Sequence, residues 1–427
     1  MTTIVATRAS FPAVSESSRL RLWIIFLLYI AQGLPLGLFY LAIPAWMATN
    51  GATALEVGAF LSATSLPWTL KFANGFIMER FTYLPMGRRR AWLIGSQMLI
   101  VAGLVAIAVF DPGPRDIALL SALSFGINIA TTFQDVAVDG MAVDLVPVAE
   151  RPRANSLMFG GQALGMAGAG AAAGAGIGVF GLAGVVAIAA LAVTLLVVLL
   201  LVCRERPGER LLPWTAGCAS AECEAVQMRA WAPIFREIGR AMTRGPSLLL
   251  LPALLMGGAG SGLYSGIAPL IGAKVAGWSA PQVSGLMATG SLIAGGLAVL
   301  AFGWLIGRVG ERRTAMFAFA GVLGLGIAVV ALQPWWTQGW PLSLLILPTD
   351  ALCFLITICL STIAMRHCAP AVAATQFGLY MATANLGRTL SSALIGPLDA
   401  LGGNPALLFG FAATGLLGVA ILARNRD

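Results

Sequence analysis

The chain has 427 residues, of which 58% are apolar and 10% are charged, and its mean hydropathy is +0.87. A soluble globular domain carries charge on roughly a quarter of its residues, so this composition excludes that class and predicts a protein that crosses a bilayer repeatedly. The net charge of +8 does not indicate nucleic acid, because most Lys and Arg residues fall on one side of the predicted membrane.

Twelve apolar stretches, each near the roughly 20 residues that span about 30 Å of hydrocarbon, form two groups of six. We predict a tail over residues 1–21, a six-helix bundle over 22–202, a polar linker over 203–246, a second bundle over 247–423 and a short tail over 424–427. The first apolar stretch is too long for a cleavable signal. Both tails and the linker lie on the basic side, which is therefore predicted to be cytoplasmic.

The first predicted helix carries Tyr29 and Gln32 on one face, interrupted by Gly33 and Pro35. Such a helix is expected to bend near the membrane midplane, where Tyr and Gln side chains can bind the hydroxyl or amide groups of a solute. Tyr29 and Gln32 are therefore candidate solute-binding residues, although an aromatic residue on a packed face is more often part of the core.

A charged segment follows the second helix and recurs in the second half of the chain. The first copy contains Gly75, Glu79, Arg80, Arg88 and Arg89, and the second contains Gly303, Arg308 and Arg312, with Gly307 in place of the acid. Together with Gly37-Leu38-Phe39 and Gly262-Leu263-Tyr264, this repeat indicates a duplicated transporter made of two pseudo-symmetric bundles. The charges are expected to hold helix ends together on the cytoplasmic side as a latch. Only the first copy is expected to act in this way, because the second lacks the acid.

The fourth helix carries a polar stripe at three- and four-residue spacing, and its members are Ser121, Ser124, Asn128, Thr132, Asp135 and Asp139. The stripe crosses nearly the whole hydrocarbon thickness, so it must face water or protein. Asn128 is a candidate for solute binding. Asp135 and Asp139 either couple transport to protons or form a charge lock with Lys71 of the second helix. Asp144, about 180° from Asp135, is expected in the following loop.

Within the linker, residues 231–242 predict an amphipathic helix at the membrane surface. Ile234, Phe235, Ile238 and Met242 share one face, and Arg236 and Arg240 share another. We expect the linker helix to tether the two moving halves.

In the second half, glycines around Tyr264 predict a pliable seventh helix, and Asp350, Asn385 and Arg388 are placed in helices ten and eleven. Asp350 and Arg388 lie at similar depth and are expected to pair. An anionic solute would then compete for Arg388, whose planar fork suits carboxylate or phosphate; the alternative is a permanent structural pair. His367 is expected at the surface, and the six cysteines fit neither a disulfide framework nor a zinc site.

The charged segment resembles the signature loop of the major facilitator superfamily. Further motifs resemble its branch of AmpG-type muropeptide permeases and acetyl-CoA transporters, and they are Gln32-Gly33-Leu34-Pro35, Lys71-Phe72, Gly87-Arg88-Arg89-Arg90, Gln134-Asp135-x3-Asp139, Glu150-Arg151, Ala374-Thr375-Gln376 and Gly387-Arg388. Gly140-Met141 departs from the Ala-Trp that many muropeptide permeases carry. The resemblance implies an all-α major facilitator fold and proton-driven import of anhydromuropeptides.

We therefore expect an inner-membrane permease that moves a small-molecule solute and protons, contacts membrane lipid, acts as a monomer and binds no nucleic acid or cofactor. A cavity between helices 1, 4, 7 and 10, flanked by helix eleven, would hold the solute. The chain has no nucleotide-binding loop and no converging catalytic groups, so an enzyme is not expected. The alternatives are a siderophore or acyl-CoA permease, and a membrane assembly factor that borrows the fold without moving solute.

Overall fold

The computed structural model describes residues 12–52, 54–228, 230–278 and 280–424. Within that part of the chain, nine helices are long and apolar enough to cross a membrane. One of them, Val148–Val202, contains two spans, because Gly181 breaks it with a φ of 68°. Two more spans are not among these nine helices. The span of residues 54–80 is interrupted at Lys71, and the span that begins at Ala373 carries many polar side chains. Twelve spans result, as the sequence predicts.

In chain order the spans are α1 (Ser18–Gly37, a π-helical turn at Leu38–Ala42, and Ile43–Thr49), α2 (Ala54–Leu70 and Phe72–Arg80), α3 (Arg90–Phe110), α4 (Ile117–Leu145), α5 and α6 (residues 151–180 and 182–202), α7 (Gly245–Lys274), α8 (Ala280–Leu297, a π-helical turn at Ala298–Phe302, and Gly303–Val309), α9 (Glu311–Ala331), α10 (Trp340–His367), α11 (Ala373–Ala393, continued by residues 395–401) and α12 (residues 404–424).

Glycines set the closest helix contacts within each half. A Cβ on Gly33 of α1 would lie 2.5 Å from the Met166 backbone nitrogen of α5, and one on Gly258 of α7 would overlap the Ala384 carbonyl of α11. Small residues allow such backbone contact in a bilayer, where packing rather than hydrophobicity holds helices together. The predicted pliability of the seventh helix is not seen as a break, because α7 is one continuous helix. Gly258 and Gly262 lie against α11 instead.

The two halves meet along two seams near the linker. Gly75 of α2 lies against α11, where an added Cβ would be 2.7 Å from the Thr375 Cα. Gly303 of α8 lies against α5, and an added Cβ there would be 2.8 Å from the Arg153 Cα. These glycines belong to the two copies of the charged segment, so the duplication places the same residue type at both seams.

The linker is bonded to the first half through Glu205. Its carboxylate accepts from the backbone N–H groups of Arg89 at 2.8 Å and Arg90 at 3.1 Å, which caps the positive N-terminal end of α3. Gly87, with a φ of 100°, gives the carboxylate room, since an added Cβ would lie 2.6 Å from it. The linker therefore holds the start of α3.

The linker helix, Trp231–Met242, covers the linker end of the bundle. Ile234 and Ile238 are buried in one cluster with Ala369 and Val372 of the segment between α10 and α11. Phe235, predicted to share the apolar face with these isoleucines, does not join this cluster and is 55% exposed. The apolar face of the helix thus packs on protein, and its aromatic side chains lie beside that contact.

Glu209 makes the linker sensitive to pH. Burial, with the neighbouring Glu205 charge, raises the pKa of Glu209 from 4.5 to about 7. Between those values the folded protein keeps a proton that the unfolded chain has released, so stability falls as the pH rises through this window.

We expect Glu209→Gln to remove this contribution, because glutamine does not ionise. The melting temperature of the variant should exceed that of the wild type at pH 8 and approach it at pH 5, measured in detergent across that range. Glu224→Gln, at an exposed position of the same linker, is the matched control. Identical pH profiles for wild type and Glu209→Gln would contradict the assignment.

Candidate solute cavity and linker-side latch

A cavity of about 400 Å³ lies between the two halves. As expected, α1, α4, α7, α10 and α11 contribute to its wall. Two further helices do so as well, since Trp68 and Lys71 come from α2 and Phe159, Gln162 and Met166 come from α5. These two helices were not predicted to line the cavity. Gln162 and Trp68, a polar and an aromatic side chain within apolar stretches, could have indicated it.

The α4 stripe forms hydrogen bonds and an ion pair mainly with α2. The hydroxyls of Thr64 and Ser124 are 2.7 Å apart, and Trp68 donates its ring N–H to Asn128 at 2.8 Å. Two further rungs join Asn74 to Thr132 at 3.1 Å and Lys71 to Asp135 at 2.8 Å. This ladder satisfies polar groups that lipid could not. Only the part of the stripe nearest the linker, Asp135 and Asp139, lines the cavity.

The two cavity carboxylates have different partners. Asp135 pairs with Lys71 and also accepts from the Gln32 amide at 2.5 Å. Asp139 accepts a hydrogen bond from the Tyr29 hydroxyl. All five side chains are buried. One lysine therefore stands beside two acids, and the acid without a charged partner is Asp139.

On the opposite wall, Asn385 and Arg388 of α11 are exposed to the cavity. Across the described ranges of the chain, neither side chain forms a hydrogen bond or ion pair. The expected Asp350–Arg388 pair is not formed, because the Asp350 carboxylate instead accepts from Ser291 of α8 at 2.7 Å. The similar depth of the two groups in the membrane is not sufficient for a pair, because Ser291 of α8 is the group that contacts Asp350.

Four of the seven predicted solute-binding residues, Tyr29, Asp350, Asn385 and Arg388, line the cavity. The other three lie behind its wall. Gln32 holds Asp135, Asn128 belongs to the α2–α4 ladder, and the buried Tyr264 donates to the Ile346 carbonyl at 3.2 Å. These three support the wall and do not face the solute space.

The latch centres on Glu79 at the end of α2. Its carboxylate pairs with Arg88 at 2.6 Å and Arg89 at 3.1 Å, and it accepts from the backbone N–H of Ala374 at 3.0 Å. Ala374 begins α11 of the other half, so the contact crosses between the bundles. Asp144, expected in a loop, lies in the last turn of α4 and pairs with Arg89 at 3.0 Å.

Further bonds close the linker side. Arg88 donates to the carbonyls of Pro370 at 2.5 Å and Ala371 at 2.8 Å. On the other seam, Arg151 at the start of α5 donates to the Met365 carbonyl of α10 at 2.7 Å. Several bonds therefore join the two halves on the linker side of the cavity.

The second half contains an ion pair that corresponds to Arg89–Asp144, with the positions of the acid and the arginine exchanged. Glu311 and Arg366 pair at 2.5 Å, and each stands 222 residues after its counterpart in the Arg89–Asp144 pair. Gly307 stands at the position that corresponds to Glu79, so α8 has no carboxylate there to bond with the start of α5. The remaining latch arginines stand apart from these ion pairs, since Arg80 stacks on Phe81, Arg308 stacks on Trp304, and Arg312 donates to the Leu422 carbonyl.

Removing the Glu79 charge should open the linker side. Glu79→Gln leaves the buried Arg88 and Arg89 with one acid fewer, and breaking such a pair costs about 3–5 kcal/mol. We expect Cys353, which lines the cavity, to react several-fold more slowly with an impermeant thiol reagent added from the side opposite the linker.

Arg308→Gln, at the corresponding place in the second half, should leave the Cys353 labelling rate unchanged, and Cys353→Ala defines the background. An unchanged rate in Glu79→Gln would show that the latch does not hold this state.

The model of the Major Facilitator Superfamily matches residues 25–392 of the chain. The anhydromuropeptide permease of Escherichia coli K12 is 31% identical over 143 residues, which cover 34% of this chain and 29% of that protein. The putative transporter AmpG 4 of Rickettsia felis is 26% identical over 152 residues, covering 34% of this chain and 36% of that protein. The aligned segments thus span well under two thirds of either relative.

Solved structures share the fold at low sequence identity. The human organic anion transporter MFSD10 superposes with a TM-score of 0.70 at 14% identity, covering 94% of this chain and 98% of that one. The E. coli fucose:proton symporter FucP gives 0.69 at 12% identity, covering 95% and 98%.

Proposed function

This chain belongs to the Major Facilitator Superfamily, and from that premise we propose that it is a secondary active transporter that imports a bulky polar solute with an anionic group together with protons. The observation that carries the proposal is the cavity's two-sided chemistry. Arg388, whose guanidinium has no partner among the residues that the structure describes, faces the space from α11, and a buried acid pair, Asp135 and Asp139, faces it from α4.

Arg388 is the proposed anchor for the solute's anion. A cavity arginine without a charged partner can form two parallel hydrogen bonds to a carboxylate or phosphate. Asn385, one turn earlier on α11, adds an amide that can bind a neighbouring polar group. Trp68 of α2, Phe159 of α5 and Phe354 of α10 supply aromatic surface elsewhere around the cavity for sugar or peptide parts of the solute.

Asp139 is the proposed proton carrier. With both acids ionised, the Lys71 site holds one uncompensated negative charge in the middle of the membrane, and one proton removes it. Asp135 already has Lys71 and Gln32, whereas the partner of Asp139 is the neutral Tyr29 hydroxyl. Protonated Asp139 could donate its own O–H to the Tyr29 oxygen, which frees the Tyr29 O–H for another acceptor. The site of Lys71, Asp135 and Asp139 would then be neutral as the halves exchange access.

We propose an anhydromuropeptide as the preferred cargo, because the E. coli relative carries that name and a bulky anionic solute suits the cavity. The rivals are a siderophore or an acyl-CoA, and outside transport a membrane assembly factor. In the proposed setting the protein lies in the bacterial inner membrane as a monomer, with both termini and the linker in the cytoplasm. No cofactor and no catalytic role are proposed.

Asp139→Asn should abolish solute accumulation driven by a pH gradient and preserve exchange of labelled for unlabelled solute. The reason is that asparagine imitates the protonated acid, so the halves still exchange access without carrying a proton. Uptake in reconstituted vesicles, with anhydromuropeptide, ferric siderophore and acetyl-CoA tested in parallel, measures both modes. Accumulation that survives in Asp139→Asn would remove this residue from coupling.

Arg388→Gln should weaken binding of the anionic solute by about 10- to 150-fold, the loss of a charge-assisted hydrogen bond pair. Equilibrium binding to detergent-solubilised protein measures it. Arg115→Gln removes the same charge from a loop on the side opposite the linker and should leave affinity unchanged. Equal affinity of wild type and Arg388→Gln would remove Arg388 as the anchor, and no binding of any tested solute would favour the assembly-factor alternative.

A further inference from the structure

The linker helix presents three different surfaces. One buries Ile234, Ile238 and Ala241 against the protein. A second exposes the aromatic rings of Trp231 and Phe235, one turn apart, at 40% and 55%. Only the first of these surfaces is explained by the fold, because a tether needs a face that holds it to the bundle and needs no exposed aromatic rings.

The exposed rings continue onto the end of α2. Trp231 meets Phe81 edge-on with ring centroids 5.8 Å apart, and Phe235 lies 5.0 Å from Phe76. Arg80 stacks over Phe81 at 5.1 Å, and its Nε is buried with no hydrogen-bond partner in the described structure. Arg80 therefore belongs to this surface, which explains why it stands apart from the latch.

The third surface of the helix is basic. Arg236 and Arg240 are exposed one turn apart, which places them on one side of the helix. Arg240 has a loose contact with Glu237 at 3.8 Å, and Arg236 has no ion pair within the ranges that the structure describes. The patch of Arg80, Phe81, Trp231, Phe235, Arg236 and Arg240 thus combines exposed rings with positive charge that is only partly neutralised, through the loose Arg240–Glu237 contact.

We propose that this patch binds the anionic headgroups of phospholipids in the adjacent leaflet, which is the cytoplasmic one in the orientation proposed above. Its position favours a membrane over a soluble partner, because α2 ends at Arg80 and α7 begins at Gly245, three residues after the linker helix ends. Aromatic rings at that level enter the boundary between headgroups and acyl chains. Arginines there contact lipid phosphate.

Lipid binding would also bear on gating. The helix touches Phe76 of α2 on one half and Ala369 and Val372 on the other, across the seam that Gly75 forms with Thr375. That seam must part when the linker side opens. A lipid-held helix can stay at the membrane surface while one of its two protein contacts is released.

The test is native mass spectrometry of the full chain in detergent, titrated with dioleoyl phosphatidylglycerol or dioleoyl phosphatidylcholine. We expect the wild type to retain the anionic lipid preferentially. Arg236→Gln/Arg240→Gln should weaken that retention about 25-fold, near fivefold for each arginine. Arg19→Gln/Arg313→Gln, which removes two exposed arginines elsewhere, should change it little.

Trp231→Ala/Phe235→Ala, which keeps every charge, should weaken retention of both lipids. Equal loss in the two arginine variants would overturn the proposal, because net charge alone would then explain the binding. Soluble glycerol phosphate competing as well as the lipid would overturn it too, since the patch would then bind a free anion. These readouts need no cargo, so they stand or fall separately from the transport proposal.

Discussion

A bilayer offers no water to the polar groups inside it, and the arrangement of the first half follows from that constraint. The α4 stripe carries six polar side chains through the apolar layer, and α2 supplies partners for four of them, from Thr64 to Asn74. The ladder fixes the rotation of both helices. That rotation points Asp135 and Asp139 at the cavity, where Lys71, Gln32 and Tyr29 complete their shell.

Duplication supplied two similar bundles, and their charges then diverged. The pair between the third and fourth helices of each bundle is kept with its signs exchanged, as Arg89–Asp144 and Glu311–Arg366. An ion pair works in either order, so this exchange preserves the bond. The carboxylate of Glu79 has no such counterpart at Gly307, because glycine has no side chain that could accept from the start of the opposing helix. One seam therefore carries a charged cap, and the other relies on Arg151.

Much of this structure was accessible from sequence because membrane spans and their order are encoded locally. Depth could also be read, and it correctly suggested that Lys71 and Asp135 pair. The direction in which a side chain points around its helix could not be predicted, because it depends on how the neighbouring helices pack. Asp350 therefore bonds to Ser291 of α8 and not to Arg388. Asp144 was wrongly predicted to lie in a loop, because the sequence shows no partner on its side of α4. In the structure Arg89, next to the start of α3, is that partner. Thr64 and Asn74 gave no signal before α4 was beside them.

The glycine seams have a consequence for the conformational cycle. Gly75 and Gly303 put backbone against the opposing helix, with no side chain between them on the glycine side. Ordering a long side chain costs up to about 2 kcal/mol of rotamer entropy, and glycine has none to lose or regain. Separating and rejoining these seams is therefore nearly free of side-chain entropy. The side-chain entropy that is gained when the linker side opens and lost when it closes is therefore concentrated in the arginines of the latch, and over a whole cycle the two changes cancel.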